Sequence, residues 1–492
     1  MKNIRVRFAP SPTGPLHIGA IRTAIYNYIF AKKYRGKFIL RIEDTDKDRF
    51  VIGTENDIVN ALEWCGLSID ESPFNEGKYK PYKQSDRKHL YDFYLQKLFD
   101  KEHAYYAYYS YYSYDSFYPL DTEIKKKDSL LTYNAKRRLQ MNHSLDRDTK
   151  NLLDRLKLPY VIRFKTPKDK LISIYDEIRG EIKINTSSLD DKILVKSDGM
   201  ATYHFANVVD DHLMKITHVI RGEEWLSSMP LHILIYETFE WEIPVYVHLP
   251  LLLKTSGSGK LSKRDGDRQV FSIKCKETKN ISYGYGEEGY FPEAIVMILG
   301  LLGWNTIIEK ELFCLKKLEH KFTLKRIHKS GAIFNQEKAY CLNQQSFQRK
   351  SINHLMIIYR KVLNKHGAYT NDKNLFKIIK TVQNRVSFVQ ELWDNAYYFF
   401  IAPQTYDNQY TSIDSFSILK NIQKSLMKEE DFRSSNLKRI IKFFIYDNQF
   451  GLKTVFQTLR LSLLGFLKGG DIFFIMEILG KKETIERIRK YY

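Results

Sequence analysis

The chain is short of cysteine, of acid and of long apolar runs. Only Cys65, Cys275, Cys314 and Cys341 occur in 492 residues. None sits at the spacing of a paired metal site, and together they make no secreted disulfide framework. The longest apolar stretch, Ala294 to Trp304, is too short to cross a bilayer. The N-terminus reads as a charged strand rather than as a signal peptide, so a soluble cytoplasmic protein with no membrane partner is expected. Acidic residues number 58 against 78 basic ones, a net charge of +20. A large polyanion is the natural partner for that balance, and its binding should weaken as salt rises. AT-rich coding drift toward lysine is the competing account, and both are taken to contribute. Length and an apolar content of 43% allow three or four domains with sizeable cores.

Two short segments carry most of the chemistry. Residues 4–9 alternate apolar and polar, as a short strand does. Pro10, Pro12 and Pro15 stop it, and Gly14 permits an unusual turn. Beyond Gly19, the spacing of Ile21, Ala24, Ile25, Tyr28 and Ile29 predicts a helix with one buried face. Such a helix start offers unpaired N–H groups and the positive end of a dipole to a phosphate. His17 can donate to a phosphoryl oxygen there, and Gly19 leaves bare backbone for a base or ribose. A second strand, residues 37–42, ends in Glu43-Asp44-Thr45-Asp46. Ligands of open parallel sheets collect beyond such carboxyl ends, which places Glu43 to hold an ammonium group. Past the middle, Ser256-Gly257-Ser258-Gly259 leads into Lys260-Leu261-Ser262-Lys263-Arg264. Singly, each motif matches by accident too readily to carry weight. In this order, with an acidic strand end between them, they predict an enzyme that holds ATP and neutralises charge developing on its α-phosphate.

Further blocks make the pattern specific. Arg7-Phe8-Ala9-Pro10-Ser11-Pro12-Thr13-Gly14, Arg41-Ile42-Glu43-Asp44-Thr45-Asp46, residues 197–212, Val219-Ile220-Arg221-Gly222-Glu223-Glu224-Trp225-Leu226, His328-Lys329-Ser330-Gly331-Ala332 and Gly480-Lys481-Lys482-Glu483-Thr484-Ile485 resemble, in order and nearly end to end, the blocks of bacterial-type glutamyl-tRNA synthetases, class I aminoacyl-tRNA synthetases. The resemblance implies a two-step reaction. Glutamate and ATP give glutamyl-adenylate, and the 2′-hydroxyl of the terminal adenosine of tRNA-Glu then takes the glutamyl group. It places Pro10, Gly14, His17, Gly19 and Ala20, with Lys260, Leu261, Ser262, Lys263 and Arg264, around ATP; His17, Lys260 and Lys263 are the catalytic set. It places Arg7, Ala9, Ser11, Glu43, Tyr203, Asn207 and Arg221 around glutamate. A ligand with two carboxylates and one ammonium wants two guanidiniums and one acid, which Arg7, Arg221 and Glu43 supply. Arg7 and Tyr203 are assigned the side-chain carboxylate and Glu43 the ammonium, while the sequence leaves open which arginine takes which carboxylate. Without the family blocks, Tyr203 and Asn207 read as one packing face of a helix and Arg7 as a solvated strand residue.

The implied fold is multidomain α/β plus all-α. A Rossmann-like catalytic domain (1–104 and 191–255) is interrupted by an inserted acceptor-stem-binding domain (105–190). A stem-contact region with the cationic loop (256–320) and an all-helical anticodon-binding region (321–492), divided into two subdomains, follow. Mg²⁺ is expected on the phosphates of ATP. Ala20 stands where the class pattern has a second histidine, and Leu261 and Arg264 where it has methionine and serine. Some bacterial relatives carry a Cys-x-Cys pair after the alanine-tyrosine matching Ala104-Tyr105; this chain continues in tyrosines, so neither structural zinc nor any protein-held metal is expected. The tract from Tyr105 to Tyr118 reads as a partly buried surface segment, with base stacking as the alternative, and Lys125-Lys126-Lys127 as a solvated run or a phosphate contact. A monomer is expected, with tRNA-Gln an open second acceptor. Of the rivals, a glutaminyl enzyme should show β-barrel patterning at its end and an acid at Ser11. A queuosine-modifying paralogue should stop before the helical region. A catalytically dead RNA-binding module should have lost His17, Lys260 or Lys263, and a generic nucleotidyltransferase explains only the first motif.

Overall fold

The computed structural model describes residues 3–108, 142–144, 147–155, 160–253, 273–274, 281–282, 284–304, 314–407 and 413–492. The loop 260–264, Cys275, the tract beyond Tyr108 and Lys125-Lys126-Lys127 lie outside them. The chain divides into two compact units, Met1–Glu287 with Pro292–Gln336, and Glu288–Phe291 with Glu337–Tyr492.

In the first unit the strands that position the site are β1 (Arg5–Phe8), β2 (Lys37–Leu40), β3 (Ala104–Tyr108), β4 (Asn142–Ser144), β5 (Tyr160–Phe164), β6 (Leu171–Asp176), β7 (Gly180–Asn185), β8 (Ile193–Val195), β9 (His218–Gly222) and β10 (Val245–Leu249). β1 and β2 run parallel, from Arg5 opposite Lys37 to Phe8 opposite Leu40, with α1 (Ile18–Lys33) between them in sequence. β9 pairs in parallel with β10, β10 with β6, and β6 antiparallel with β7. Thr217, just before β9, donates its N–H to the Arg5 carbonyl at 2.9 Å. β3, β4, β5 and β8 form a separate antiparallel sheet in the order β4-β3-β5-β8. The span 105–190 therefore contributes to both sheets. The tyrosine tract opens inside a strand, where Tyr105 and Tyr106 are buried and the Tyr105 hydroxyl donates to Asp191 at 2.7 Å.

The alternation in residues 4–9 predicts one wet face, yet all four residues of β1 are buried. Arg5 is neutralised by both oxygens of Glu71, at 2.8 and 2.7 Å, and Arg7 is only 3% exposed. α1 likewise buries more than one stripe: Arg22, Tyr26, Asn27, Phe30 and Ala31 join the predicted apolar face. One side meets β1 and β9, the other the apolar helix Pro292–Leu301. The Asn27 amide, donating to the Ile220 carbonyl at 3.0 Å, ties α1 to β9.

The second unit is built on helices with apolar seams. Ile352–Lys365 buries Leu355, Tyr359 and Leu363, with Ile358 and Val362 half-buried beside the seam. Leu452–Leu464 buries Val455, Leu459, Leu463 and Leu464. The last helical stretch, Ile472–Tyr491, breaks at Gly480, whose φ of 77° suits glycine. Beyond the break, buried Arg487 donates to the carbonyls of Tyr398 and Leu463 at 2.7 and 3.0 Å.

Candidate active site

The carboxyl ends of β1, β2 and β9 and the start of α1 open onto one cavity of about 970 Å³. Every expected site residue that the structure describes lines it. Arg7, Ala9, Pro10, Ser11, Gly14, His17, Gly19 and Ala20 come from β1, the proline turn and the helix start. Glu43 lies just past β2, Tyr203 and Asn207 lie on the helix Tyr203–Leu213, and Arg221 lies on β9. The cationic set from Lys260 to Arg264 lies outside the described residues.

His17 is the N-cap of α1, and its Nδ1 accepts the Ala20 N–H at 3.3 Å. That bond requires a lone pair on Nδ1, so the neutral ring carries its proton on Nε2. Gly19 has a nearer reason than ligand access: a Cβ there would stand 2.9 Å from Cε1 of His17, closer than real contacts allow. Gly14, in the turn before it, holds φ at +138°, a backbone state L residues rarely adopt.

The amino-acid end is a dense array of buried charge. Arg7 Nε donates to Oδ1 of Asp211 at 3.0 Å and Nη2 to Oδ2 at 3.2 Å. Arg41 Nη1 reaches the same carboxylate at 2.6 Å and Nη2 reaches Oε1 of Glu43 at 3.2 Å. Asn207 orients both sides, donating from Nδ2 to Glu43 at 3.0 Å and accepting from Arg7 Nη2 at 3.4 Å. Behind them Asp210 accepts from Arg87, Gln84 and Tyr91 at 2.5, 2.8 and 2.9 Å. Burial lifts the Glu43 carboxyl above its ordinary range against the pull of Arg41 and Arg7. Burial acts on Asp211 in the same sense, but the guanidiniums of Arg7 and Arg41 outweigh it and hold that carboxyl below its ordinary range.

Arg221 is surrounded differently. Its Nε donates to Nε2 of His248 at 3.0 Å, Nη1 to the Tyr203 hydroxyl at 3.2 Å and to Nδ1 of His232 at 3.3 Å, and Nη2 to the Trp225 carbonyl at 3.2 Å. Every one of these acceptors is neutral. Burial drives His232 well below its ordinary pKa. His204, whose Nδ1 lies 3.3 Å from Nε2 of His232, is pushed down to about 4, chiefly by burial and then by Lys192 and Arg221.

Sequence reasoning passed over Arg41, Asp210, Asp211, Asp176, His232 and His248 as working parts. Charges set in apolar context could have flagged the first three: Arg41 follows Phe38-Ile39-Leu40, and Asp210-Asp211 follow Phe205-Ala206-Asn207-Val208-Val209. Among the described residues no group of three or more His, Cys, Asp or Glu side chains is placed to hold a metal ion, and no helix is long and apolar enough to cross a membrane.

Comparison with known proteins agrees with this geometry. Residues 3–340 match the family described as tRNA synthetases class I (E and Q), catalytic domain, and residues 349–492 match an anticodon binding domain. Glutamate–tRNA ligases from Flavobacterium psychrophilum and Flavobacterium johnsoniae are each 46% identical, with 99% of both chains covered. A glutamate tRNA ligase from Elizabethkingia meningosepticum, solved in complex with its amino acid, superposes with a TM-score of 0.93 at 43% identity, covering 99% of each chain. On the strength of this full-length likeness, the chain belongs to the glutamate–tRNA ligase family of class I tRNA synthetases.

Proposed function

We propose that the cavity binds L-glutamate and ATP side by side and joins them as glutamyl-adenylate before transfer to tRNA. As a family member the chain is an ATP-dependent, AMP-forming ligase that attaches glutamate to tRNA; the proposal concerns which residues do it. An oxygen of glutamate's α-carboxylate attacks the α-phosphorus, the bond to the bridging oxygen breaks, and pyrophosphate leaves. The 2′-hydroxyl of the terminal adenosine then attacks the acyl carbon and AMP leaves.

The observation that carries the residue roles is Arg221. A buried guanidinium normally finds a carboxylate; this one, 4% exposed on the cavity wall, has only neutral partners, so a ligand carboxylate completes it. Tyr203, accepting from Arg221, has its own O–H left to donate to that ligand. Arg7 and Tyr203 hold the side-chain carboxylate with Arg221 beside them, and Glu43, fixed by Asn207 and Arg41, takes the ammonium. Ala9 and Ser11 shape the pocket floor. His17 donates from Nε2 to a phosphoryl oxygen at the start of α1, with Pro10, Gly14, Gly19 and Ala20 forming the turn that admits the nucleotide. Lys260 and Lys263, flanked by Leu261, Ser262 and Arg264, supply cations to the pentavalent phosphorus. Mg²⁺ enters on ATP's phosphates, which ordinarily keep most of its ligands. The acceptor is tRNA-Glu, and the working form is a cytoplasmic monomer.

ATP–pyrophosphate exchange, run with and without glutamate and with tRNA-Glu or tRNA-Gln, tests this reading. Glutamate-dependent exchange that needs RNA, and that Arg221→Ala abolishes, supports it. Exchange independent of glutamate, or indifferent to Arg221→Ala, would contradict it.

A further inference from the structure

Arg221 is held by a second layer that does not reach the cavity. His248 and Asp176 are both 0% exposed, and neither lines the cavity wall. Oδ2 of Asp176 lies 2.7 Å from Nδ1 of His248 and also accepts the His248 backbone N–H at 3.0 Å. Oδ1 accepts the backbone N–H groups of Ile178 and Arg179 at 3.0 and 2.8 Å. The carboxylate is thus fixed on β6 by three backbone donors before the imidazole is counted. Facing it, His248 on β10 has one tautomer available. Nδ1 must carry the proton to meet the carboxylate, and Nε2 must keep a lone pair to accept from Arg221. Protonating Nε2 would set N–H against N–H at 3.0 Å.

We propose that Asp176 and His248 form a relay that holds Arg221 aimed while leaving its ligand-facing N–H unoccupied; the inference rests on reading Arg221 as a glutamate-carboxylate ligand. A guanidinium has five N–H donors. One goes to His248, two on Nη1 go to Tyr203 and His232, and one on Nη2 goes to Trp225. One Nη2–H remains. A carboxylate bound directly to Arg221 would neutralise the guanidinium but would also take the N–H that the amino acid needs, whereas Asp211 takes Nε and Nη2 of Arg7 and leaves Nη1 for a ligand. Passing the negative charge of Asp176 through a neutral ring compensates the cation from behind. The aromatic face of Tyr246, its centroid 5.4 Å from the guanidinium carbon, supports it from the side. Asp176 and His248 are positioning residues: they touch no substrate and act on glutamate only through Arg221.

The test uses the full chain with its tRNA, measuring KM for glutamate and for ATP separately by pyrophosphate exchange in Asp176→Asn, His248→Asn, His248→Gln and Arg221→Ala. Asn at 248 keeps a donor for Asp176 but withdraws the acceptor from Arg221; Gln places an amide oxygen where Nε2 stood. Asn at 176 puts an NH₂ group before Nδ1–H and drives the imidazole toward the wrong tautomer. Losing such an outer partner typically costs about 10–100-fold. Asp176→Asn and His248→Asn should therefore raise KM for glutamate by about that factor with KM for ATP unmoved, and His248→Gln should recover most of it. Asp176→Asn also disturbs backbone bonds, so if its thermal midpoint collapses the two His248 variants decide alone. An unchanged glutamate KM in His248→Asn, a parallel rise for ATP, or Gln performing no better than Asn overturns the relay. If Arg221→Ala itself leaves the glutamate KM intact, the fault lies with the reading of Arg221 and not with the relay.

Discussion

Removing the charge of Asp211 should measurably destabilise the first unit. Asp211 is 2% exposed and receives Arg7 and Arg41 together, at 3.0 and 2.6 Å. Asp211→Asn preserves shape but leaves two buried guanidiniums sharing an amide, one of whose faces is itself a donor. Breaking a buried pair by deleting one charge costs about 3–5 kcal/mol, since the remaining charge is left uncompensated. Unfolding entropy near 60 °C is about 2.1 cal/mol/K per residue, or about 0.7 kcal/mol/K over the roughly 330 residues of the unit. The cost then corresponds to a fall of about 4–7 °C in the midpoint of that unit's thermal transition, followed by far-UV circular dichroism at pH 7. The pH dependence has a definite sign. Burial would raise the Asp211 carboxyl, but Arg7 and Arg41 hold it below its ordinary range. Its stabilisation is therefore complete above the unfolded carboxylate pKa of about 4 and is lost as pH falls through the depressed folded value. The gap between the parent and Asp211→Asn should stay constant from pH 8 to about 5 and close on further acidification. A midpoint shift below about 1 °C at pH 7, or a gap that widens in acid, would refute the buried-charge reasoning.

Three other outcomes follow from separate features. Lys263→Ala should slow adenylate formation by about 10²–10³-fold, the usual cost of one group aimed at developing phosphoryl charge, while filter binding shows tRNA retained; near-normal exchange would remove Lys263 from the catalytic set. Gly14→Ala meets open space but must hold φ at +138°, so a loss of about 1–3 kcal/mol of backbone strain energy is expected, read as a lower thermal midpoint. With a net charge of +20, tRNA affinity should fall by at least about tenfold between 50 and 200 mM salt, and a flat response would show that the positive charge plays little part in binding.

Local chemistry was legible in the sequence because motifs are local. The strand, proline turn and helix start from Arg5 to Lys33 follow from alternation, ring constraint and helical spacing, and the seam through Val455, Leu459 and Leu463 from periodicity alone. What periodicity could not see is burial on a second face. Arg7 alternates like a solvated residue, yet it is buried because Asp211, 204 positions later, meets it. Nor does spacing reveal that β6, inside the span expected as an insertion, pairs with β10 through Tyr246 and Asp176. That long-range pairing brings Asp176 to His248, and the relay exists only once the sheet is assembled. A buried counter-charge has no sequence signature of its own, since it is defined by a partner hundreds of residues away.

The two arginines show how one site can be both folded and hungry for a particular ligand. Arg7, Arg41 and Arg87 meet Glu43, Asp210 and Asp211 in one continuous array. Three cations against three carboxylates make it self-balanced, so the pocket wall tolerates burial without a ligand. Arg221 stands outside that balance, compensated through His248 and the face of Tyr246 rather than by a carboxylate of its own. Glutamate brings two carboxylates and one ammonium, a net charge of −1, whereas glutamine has nearly the same shape and brings none. Shape alone discriminates such isosteres poorly, but a site built for a charged group is left with an unmet cation when a neutral analogue enters. The amide of glutamine would in addition turn an N–H donor toward guanidiniums that have only donors to offer. On the proposed roles, selection for glutamate comes from Arg221, a buried cation whose direct hydrogen-bond partners are all neutral, and the stability of the surrounding array allows that cation to await a carboxylate from the ligand.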